Sequence, residues 1–153
     1  AEALMGFQAS RANEGERIAE MLTTRARAVQ RISKQVAARL PEVHARIRAR
    51  LQERLAALTG EGNPERLEQE IAMLLQKMDV AEELDRLQSH VEEMTNALEA
   101  DEAVGRKLDF LMQEFNREAN TLSSKSQDVE TTRSAVELKV LIEQMREQIQ
   151  NVE

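Results

Sequence analysis

The stretch LDFLMQEFNREANTLSSKS, residues 108–126, indicates how this chain folds. Its apolar residues Leu108, Leu111, Phe115 and Leu122 recur at steps of three, four and seven. That spacing places them on one face of an α-helix. Many of the polar residues beside this seam are Asn, Thr and Ser, which compete for backbone hydrogen bonds and are poor helix formers. A helix that retains them is predicted to hold a ligand or a partner.

Helical periodicity covers almost the whole chain and predicts an all-α fold. The clearest break is TGEGNPER, residues 59–66, where glycines end one helix. Asn63 can cap the next helix, with Pro64 in its first turn. Earlier in the chain, Pro41 either starts a new helix or kinks a continuous one.

We predict long helices that form an antiparallel helical hairpin plus a helical bundle. The predicted division is a long basic helical arm at residues 1–62 and a C-terminal helical domain at residues 63–153. Before the last helix, in TLSSKSQD at residues 121–128, Ser124 and Gln127 have the spacing of a capping box. The apolar seam of the last helix should pack within the subunit or against a neighbour, and the chain is predicted to oligomerise. The seam comprises Leu138, Ile142, Met145, Ile149 and Val152.

Composition excludes several classes of function. The 153 residues include no cysteine, which excludes disulfides and thiolate metal sites and fits a reducing cytosol. Three Phe and no Trp or Tyr leave little for base stacking, so a nucleic-acid contact would be electrostatic or polar. No apolar run is long enough for a membrane span.

The net charge of −7 is unevenly distributed. Residues 1–58 carry eleven Lys/Arg against six Asp/Glu, whereas residues 59–104 carry three against thirteen. The basic arm either pairs with the acidic block or binds a polyanion. The arginines that could line a polyanion track are Arg25, Arg39, Arg46, Arg50 and Arg54.

A polar stripe borders the predicted seam of the helix at residues 80–98. Asp79, Glu83, Arg86 and His90 follow one another at steps of four, three and four, one residue behind the apolar positions. Carboxylates and an imidazole on one helix face can bind a divalent ion or move protons. The alternative interpretation is an ion-paired stripe beside a bundle interface.

Glu114 and Glu118 form the facing candidate, because two carboxylates one turn apart could hold Mg²⁺ or Mn²⁺. The alternative is a polar network satisfied between helices. If the two helices pack antiparallel around EADEAVG, residues 99–105, then His90 and Glu114 lie at similar heights. We therefore predict that this stripe faces Glu114, Arg117 and Glu118.

Three segments together resemble the C-terminal end of the YicC family of bacterial proteins. They are RLEQEIAMLLQKMDVAEELDRLQSHV, GRKLDFLMQEFNREANTLSSKS and ELKVLIEQMREQIQNVE, at residues 66–91, 105–126 and 137–153. The resemblance implies a metal-dependent endoribonuclease that cleaves RNA in the bacterial cytoplasm and forms ring-like homo-oligomers, expected to be hexamers. The resemblance also implies an N-terminal α/β domain outside this sequence, so cleavage is expected of the full-length protein.

The resemblance carries over positions in two of these motifs. They are Asp79, Glu82, Glu83, Arg86, His90, Gly105, Asp109, Gln113, Glu114, Asn116, Arg117, Glu118, Asn120, Thr121, Ser124 and Lys125. The predicted catalytic groups are Glu114, Glu118, His90 and Glu83. The predicted ligands of a Mn²⁺ or Mg²⁺ ion are Glu114, Glu118, His90 and Asp79. The predicted RNA phosphate contacts are Arg86, Arg117, Lys125, Asn116 and Asn120.

Two other classes of function compete with a nuclease. A non-catalytic helical module could assemble the oligomer and present a missing RNA-binding domain. A plain coiled-coil scaffold is disfavoured, because scaffolds rarely need Asn116, Asn120 and Thr121 in one helix. An RNA-cleavage assay of the full-length protein distinguishes the nuclease from the non-catalytic module.

Overall fold

The computed structural model describes residues 2–59, 63–100 and 105–152, with side chains from 13–58, 63–100 and 105–151. These residues form five α-helices, and no strand occurs among them, which confirms the all-α prediction. The helices are α1 (Glu2–Thr59), α2 (Pro64–Met78), α3 (Ala81–Glu99), α4 (Gly105–Lys125) and α5 (Val129–Val152).

A local sequence signal explains the start of α2. Asn63 caps α2 by accepting a hydrogen bond from the Glu65 amide, as predicted, while residues 60–62 lie outside the described part of the chain. The predicted domain boundary falls at that segment. Pro41 lies inside α1, which is continuous. The break between α2 and α3 was not predicted, although Asp79 precedes Glu82 at capping-box spacing.

Four of the helices form a bundle around one core. α1 packs on α3 and α5, and α4 packs on the same two helices, so α1 and α4 lie diagonally opposite each other. The core takes apolar residues from Leu22 to Val36 of α1 and from all three other helices. The described seam of α5 is buried within the subunit, and the Val152 side chain lies outside the described residues. None of the described helices combines the length and apolar character needed to cross a bilayer.

The second half of α1 extends beyond the bundle core and is packed against α2. Ile71 of α2 is fully buried, and Arg48 of α1 pairs with Glu68 of α2 at 2.8 Å. Basic and acidic parts of the chain therefore do pair here, in line with one of the two interpretations of the charge asymmetry.

Asp128 ties the start of α5 to α1. Its carboxylate accepts hydrogen bonds from the Thr131 amide at 3.0 Å and hydroxyl at 2.9 Å, so it caps α5. Ser124 instead donates to the Thr121 carbonyl within α4, and the predicted capping box does not form. Arg39 and Arg46 of α1 pair with the same carboxylate at 3.3 and 3.0 Å. Burial raises the pKa of Asp128, but the Thr131 hydrogen bonds and these arginines together hold it below its ordinary value.

We expect Asp128→Ala to lower the free energy of unfolding by about 2 kcal/mol at pH 7. The lost cap contributes about 1 kcal/mol, and two part-exposed ion pairs contribute about 0.5 kcal/mol each. Asp128→Asn should lose less, because Asn also caps helices. A lowered folded pKa stabilises the protein above the unfolded pKa of about 4, and this contribution disappears as pH falls through the folded value. Urea unfolding at pH 7 and pH 3 should show the Asp128→Asn deficit shrinking in acid.

Candidate metal and phosphate site

The candidate site lies between α3 and α4, which run antiparallel. Arg86 of α3 contacts Glu118 of α4, and Glu83, one turn earlier on α3, contacts Lys125, two turns later on α4. Both helices are amphipathic, and their apolar seams face the same core. The polar stripes beside the seams then meet along one edge of the interface.

Glu83 and Glu118 are the only acidic residues buried in the described part of the chain, with 2% and 3% exposure. Lys125 donates to Glu83 at 2.7 Å, and Arg86 donates to Glu118 at 2.9 Å while lying 3.6 Å from Glu83. The hydrogen bond to Glu118 is the main reason that the pKa of Arg86 is raised. Buried carboxylates need such partners, because an unpaired buried charge is costly.

His90, Glu114 and Glu118 each offer one ligand atom to a common point. These three atoms all lie within 4.8 Å of one another. Both ring nitrogens of His90 are buried and lack a hydrogen-bond partner in the described chain. The ring packs edge-on against Phe115, with centroids 5.8 Å apart, which restricts its orientation. The sequence predicted that these side chains face each other, and the structure brings them together.

The charges of the site leave room for a cation. Three carboxylates, those of Glu83, Glu114 and Glu118, lie beside the two cations Arg86 and Lys125. Within the described residues, the Glu114 side chain has neither a hydrogen bond nor an ion pair. The Glu83 Oε2 atom is also buried without a partner there. The arrangement can therefore accept positive charge more readily than a fully paired network could.

Asp79 and Arg117 lie outside the group formed by His90, Glu114 and Glu118. The Asp79 Oδ1 atom accepts a hydrogen bond at 3.1 Å from the Ala81 amide, the first of α3, while its carbonyl lies 3.4 Å from Lys125 Nζ. Its carboxylate is not among the three grouped ligands. Arg117 is exposed, about 60° around α4 from Glu114, where its side chain is free to contact a ligand.

Asn116 and Asn120 do not share the face of Glu114. At about 100° per residue, they lie roughly 160° and 120° around α4 from it. Asn116 instead lines a groove of about 500 Å³ between α4 and α5, beside Glu143 and Arg146. Asn116 thus belongs to a different surface from Glu114, and Asn120 is exposed.

Comparison with known proteins gives the family of this chain. Residues 36–153 match a family model described as "Endoribonuclease YicC-like, C-terminal". The chain belongs to this family. All residues of the α3–α4 site lie within the matched range.

Two similar proteins of the YicC family support this membership. One, named "Probable endoribonuclease YicC", comes from Haemophilus influenzae and is 52% identical over 98% of this chain. Another with the same name, from Clostridioides difficile, is 36% identical over 99% of this chain. The chain spans about half the length of these relatives, 52% and 53% respectively.

Proposed function

We propose that this chain is the C-terminal part of a metal-dependent endoribonuclease that hydrolyses phosphodiester bonds of single-stranded RNA. The observation that carries the proposal is the grouping of His90, Glu114 and Glu118 beside Arg86 and Lys125, in a family whose relatives are named probable endoribonucleases. Assembly into a homo-oligomer, expected to be a hexamer, and a location in the cytoplasm belong to the proposal through the family resemblance alone.

The grouped residues fit a divalent cation. Opposite ligands of Mg²⁺ lie about 4.2 Å apart, so side chains whose ligand atoms are within 4.8 Å need only small adjustments to share an ion. His90 supplies nitrogen, while Glu114 and Glu118 supply oxygen. An imidazole suits a transition metal better than Mg²⁺, so we propose Mn²⁺ as the preferred ion. Such an ion would lower the pKa of a bound water and stabilise charge on the phosphate.

The surrounding side chains would orient the RNA. Arg86 and Lys125 are 47% and 34% exposed and have N–H groups beyond those used by Glu83 and Glu118. They can therefore donate to a phosphate while they hold the carboxylates in place. Glu114 is free to accept a proton from an attacking water or to hold that water in position. Among the described residues, Arg117 is a further cation on this side of α4.

Metal removal tests this proposal directly. The full-length protein should cleave single-stranded RNA with Mn²⁺, and excess EDTA should abolish cleavage until Mn²⁺ is restored. Calorimetric titration should show Mn²⁺ binding that His90→Ala removes. Equal cleavage in EDTA and Mn²⁺ would contradict metal dependence. Assembly and RNA binding without cleavage under either condition would instead support the non-catalytic oligomerisation module.

A further inference from the structure

The middle of α1 carries an unusual excess of positive charge. Residues 21–41 contain five Lys/Arg and no Asp/Glu, in a chain whose net charge is −7. The five are Arg25, Arg27, Arg31, Lys34 and Arg39. Because this segment also supplies core residues from Leu22 to Val36, its basic side chains are held on a fixed scaffold.

The structure separates these cations into paired and free groups. Arg39 pairs with Asp128, and Arg25 donates to Gln144 at 2.9 Å. Arg27, Arg31 and Lys34 are exposed, and in the described part of the chain their side chains have no ion pair or hydrogen bond. They border one shallow surface depression with Gln30, Gln35 and Ala38.

The three free cations form one continuous row, here called the basic face. They follow one another at steps of four and three, opposite the buried side of α1 formed by Ala26, Val29 and Val36. At 1.5 Å of rise per residue the row is about 10 Å long. Aligned, exposed guanidinium and ammonium groups suit the repeating charge of a phosphodiester backbone, whereas they offer no apolar anchor for a protein partner.

The basic face lies far from the candidate metal site of the same chain. α1 and α4 are diagonal in the bundle, and the basic face points away from the core. With helices about 10 Å apart and about 10 Å wide, the two surfaces are separated by roughly 25 Å. A phosphate held by Arg31 cannot therefore be the phosphate beside Glu114.

We infer that the basic face, Arg27, Arg31 and Lys34, is a remote anchor for the sugar-phosphate backbone of the RNA substrate. The inference rests on the proposed function for its choice of partner. The anchor binds without sequence preference, because the contacts are to phosphates. It increases affinity for long strands and leaves the chemical step at the α3–α4 site unchanged.

The test compares two triple variants of equal charge in the full-length protein. Arg27, Arg31 and Lys34 are replaced together by Gln, a good helix former on an exposed face. The matched control replaces Arg17, Lys77 and Arg106, two other arginines and a lysine that are exposed and have no partner among the described residues. Binding of fluorescent single-stranded RNA is measured by anisotropy in EDTA at several salt concentrations, so that cleavage plays no part.

We expect the basic-face variant to bind long RNA about tenfold or more weakly, with a salt slope reduced by about 2, as for the loss of three single-strand phosphate contacts. The control should change both quantities much less. In cleavage assays with Mn²⁺, the basic-face variant should raise KM for long RNA, keep kcat, and leave a trinucleotide substrate unaffected.

Equal losses in the two triple variants, or a fall in kcat with a short substrate, would overturn the inference. Unchanged RNA binding together with altered oligomer size would assign the basic face to contacts between copies and would also overturn it. RNA binding that depends on the basic face in a protein that never cleaves RNA would refute the proposed nuclease and leave the anchor standing.

Discussion

Glu114→Gln in the full-length protein is expected to reduce Mn²⁺-dependent RNA cleavage by at least about 100-fold. Even the partners of metal ligands contribute about 10–100-fold, and Glu114 is proposed as a ligand itself. The amide keeps the shape of the side chain but removes the charge that a cation or an attacking water needs. Cleavage of a labelled single-stranded RNA, followed at saturating Mn²⁺, measures this effect.

The structure makes Glu114→Gln a clean substitution. Because the Glu114 side chain has no described ion pair or hydrogen bond, its replacement should change the free energy of unfolding by less than about 0.5 kcal/mol. Glu92→Gln is the matched control, since Glu92 is an exposed carboxylate on α3 and has no described partner. Normal cleavage by a correctly assembled Glu114→Gln protein would assign the chemistry to another part of the full-length protein.

Lys125→Met is expected to lower the free energy of unfolding by roughly 2–3 kcal/mol. It leaves Glu83, 2% exposed, with only the longer 3.6 Å contact to Arg86. Breaking a buried ion pair typically costs about 3–5 kcal/mol, and the partial exposure of Lys125 reduces that value. Urea unfolding monitored by circular dichroism gives the measurement.

A second substitution identifies the cause of this loss. Glu83→Gln removes the buried negative charge that Lys125→Met leaves without its closest partner. The double variant Glu83→Gln/Lys125→Met should therefore regain most of the lost free energy of unfolding. Lys107 is an exposed lysine of α4, the helix that carries Lys125, and has no described partner. Lys107→Met should therefore change the free energy of unfolding by less than about 0.5 kcal/mol. If Lys125→Met and Lys107→Met behave alike, the Glu83–Lys125 contact contributes little to stability.

The sequence was most informative where the signals were periodic. Steps of three and four predicted the helices, and equal distances from the turn predicted that His90 and Glu114 meet. Both follow from the fixed rise and rotation of an α-helix, which needs no knowledge of the rest of the fold. Which charged residues form ion pairs, and which stay free to bind a partner, was not predictable in this way. Arg39 and Arg46 were grouped with Arg50 and Arg54 as one track, but their contacts to Asp128 depend on which helix packs beside α1.

Helix ends and helix faces account for the other differences. Asp79 was predicted as a metal ligand, yet its carboxylate accepts a hydrogen bond from the Ala81 amide, a local contact that Asp commonly makes with the backbone two residues further on. Asn116 and Asn120 were grouped with Glu114 by the motif they share, although their angular positions on α4 already separated them. Motif membership therefore says less than helical geometry about which side chains act together.

The continuous α1 helix also has a mechanical consequence. Pro41 cannot donate a backbone hydrogen bond, and prolines are the usual points at which long helices bend. Leu58 lies 17 residues further along, about 25 Å away. A 10° bend at Pro41 would therefore swing the far end of α1 by about 4 Å, and α2 would travel with it because Ile71 is buried against the arm. A small change of angle at Pro41, beside the bundle, therefore becomes a displacement of several ångströms at the end of α1.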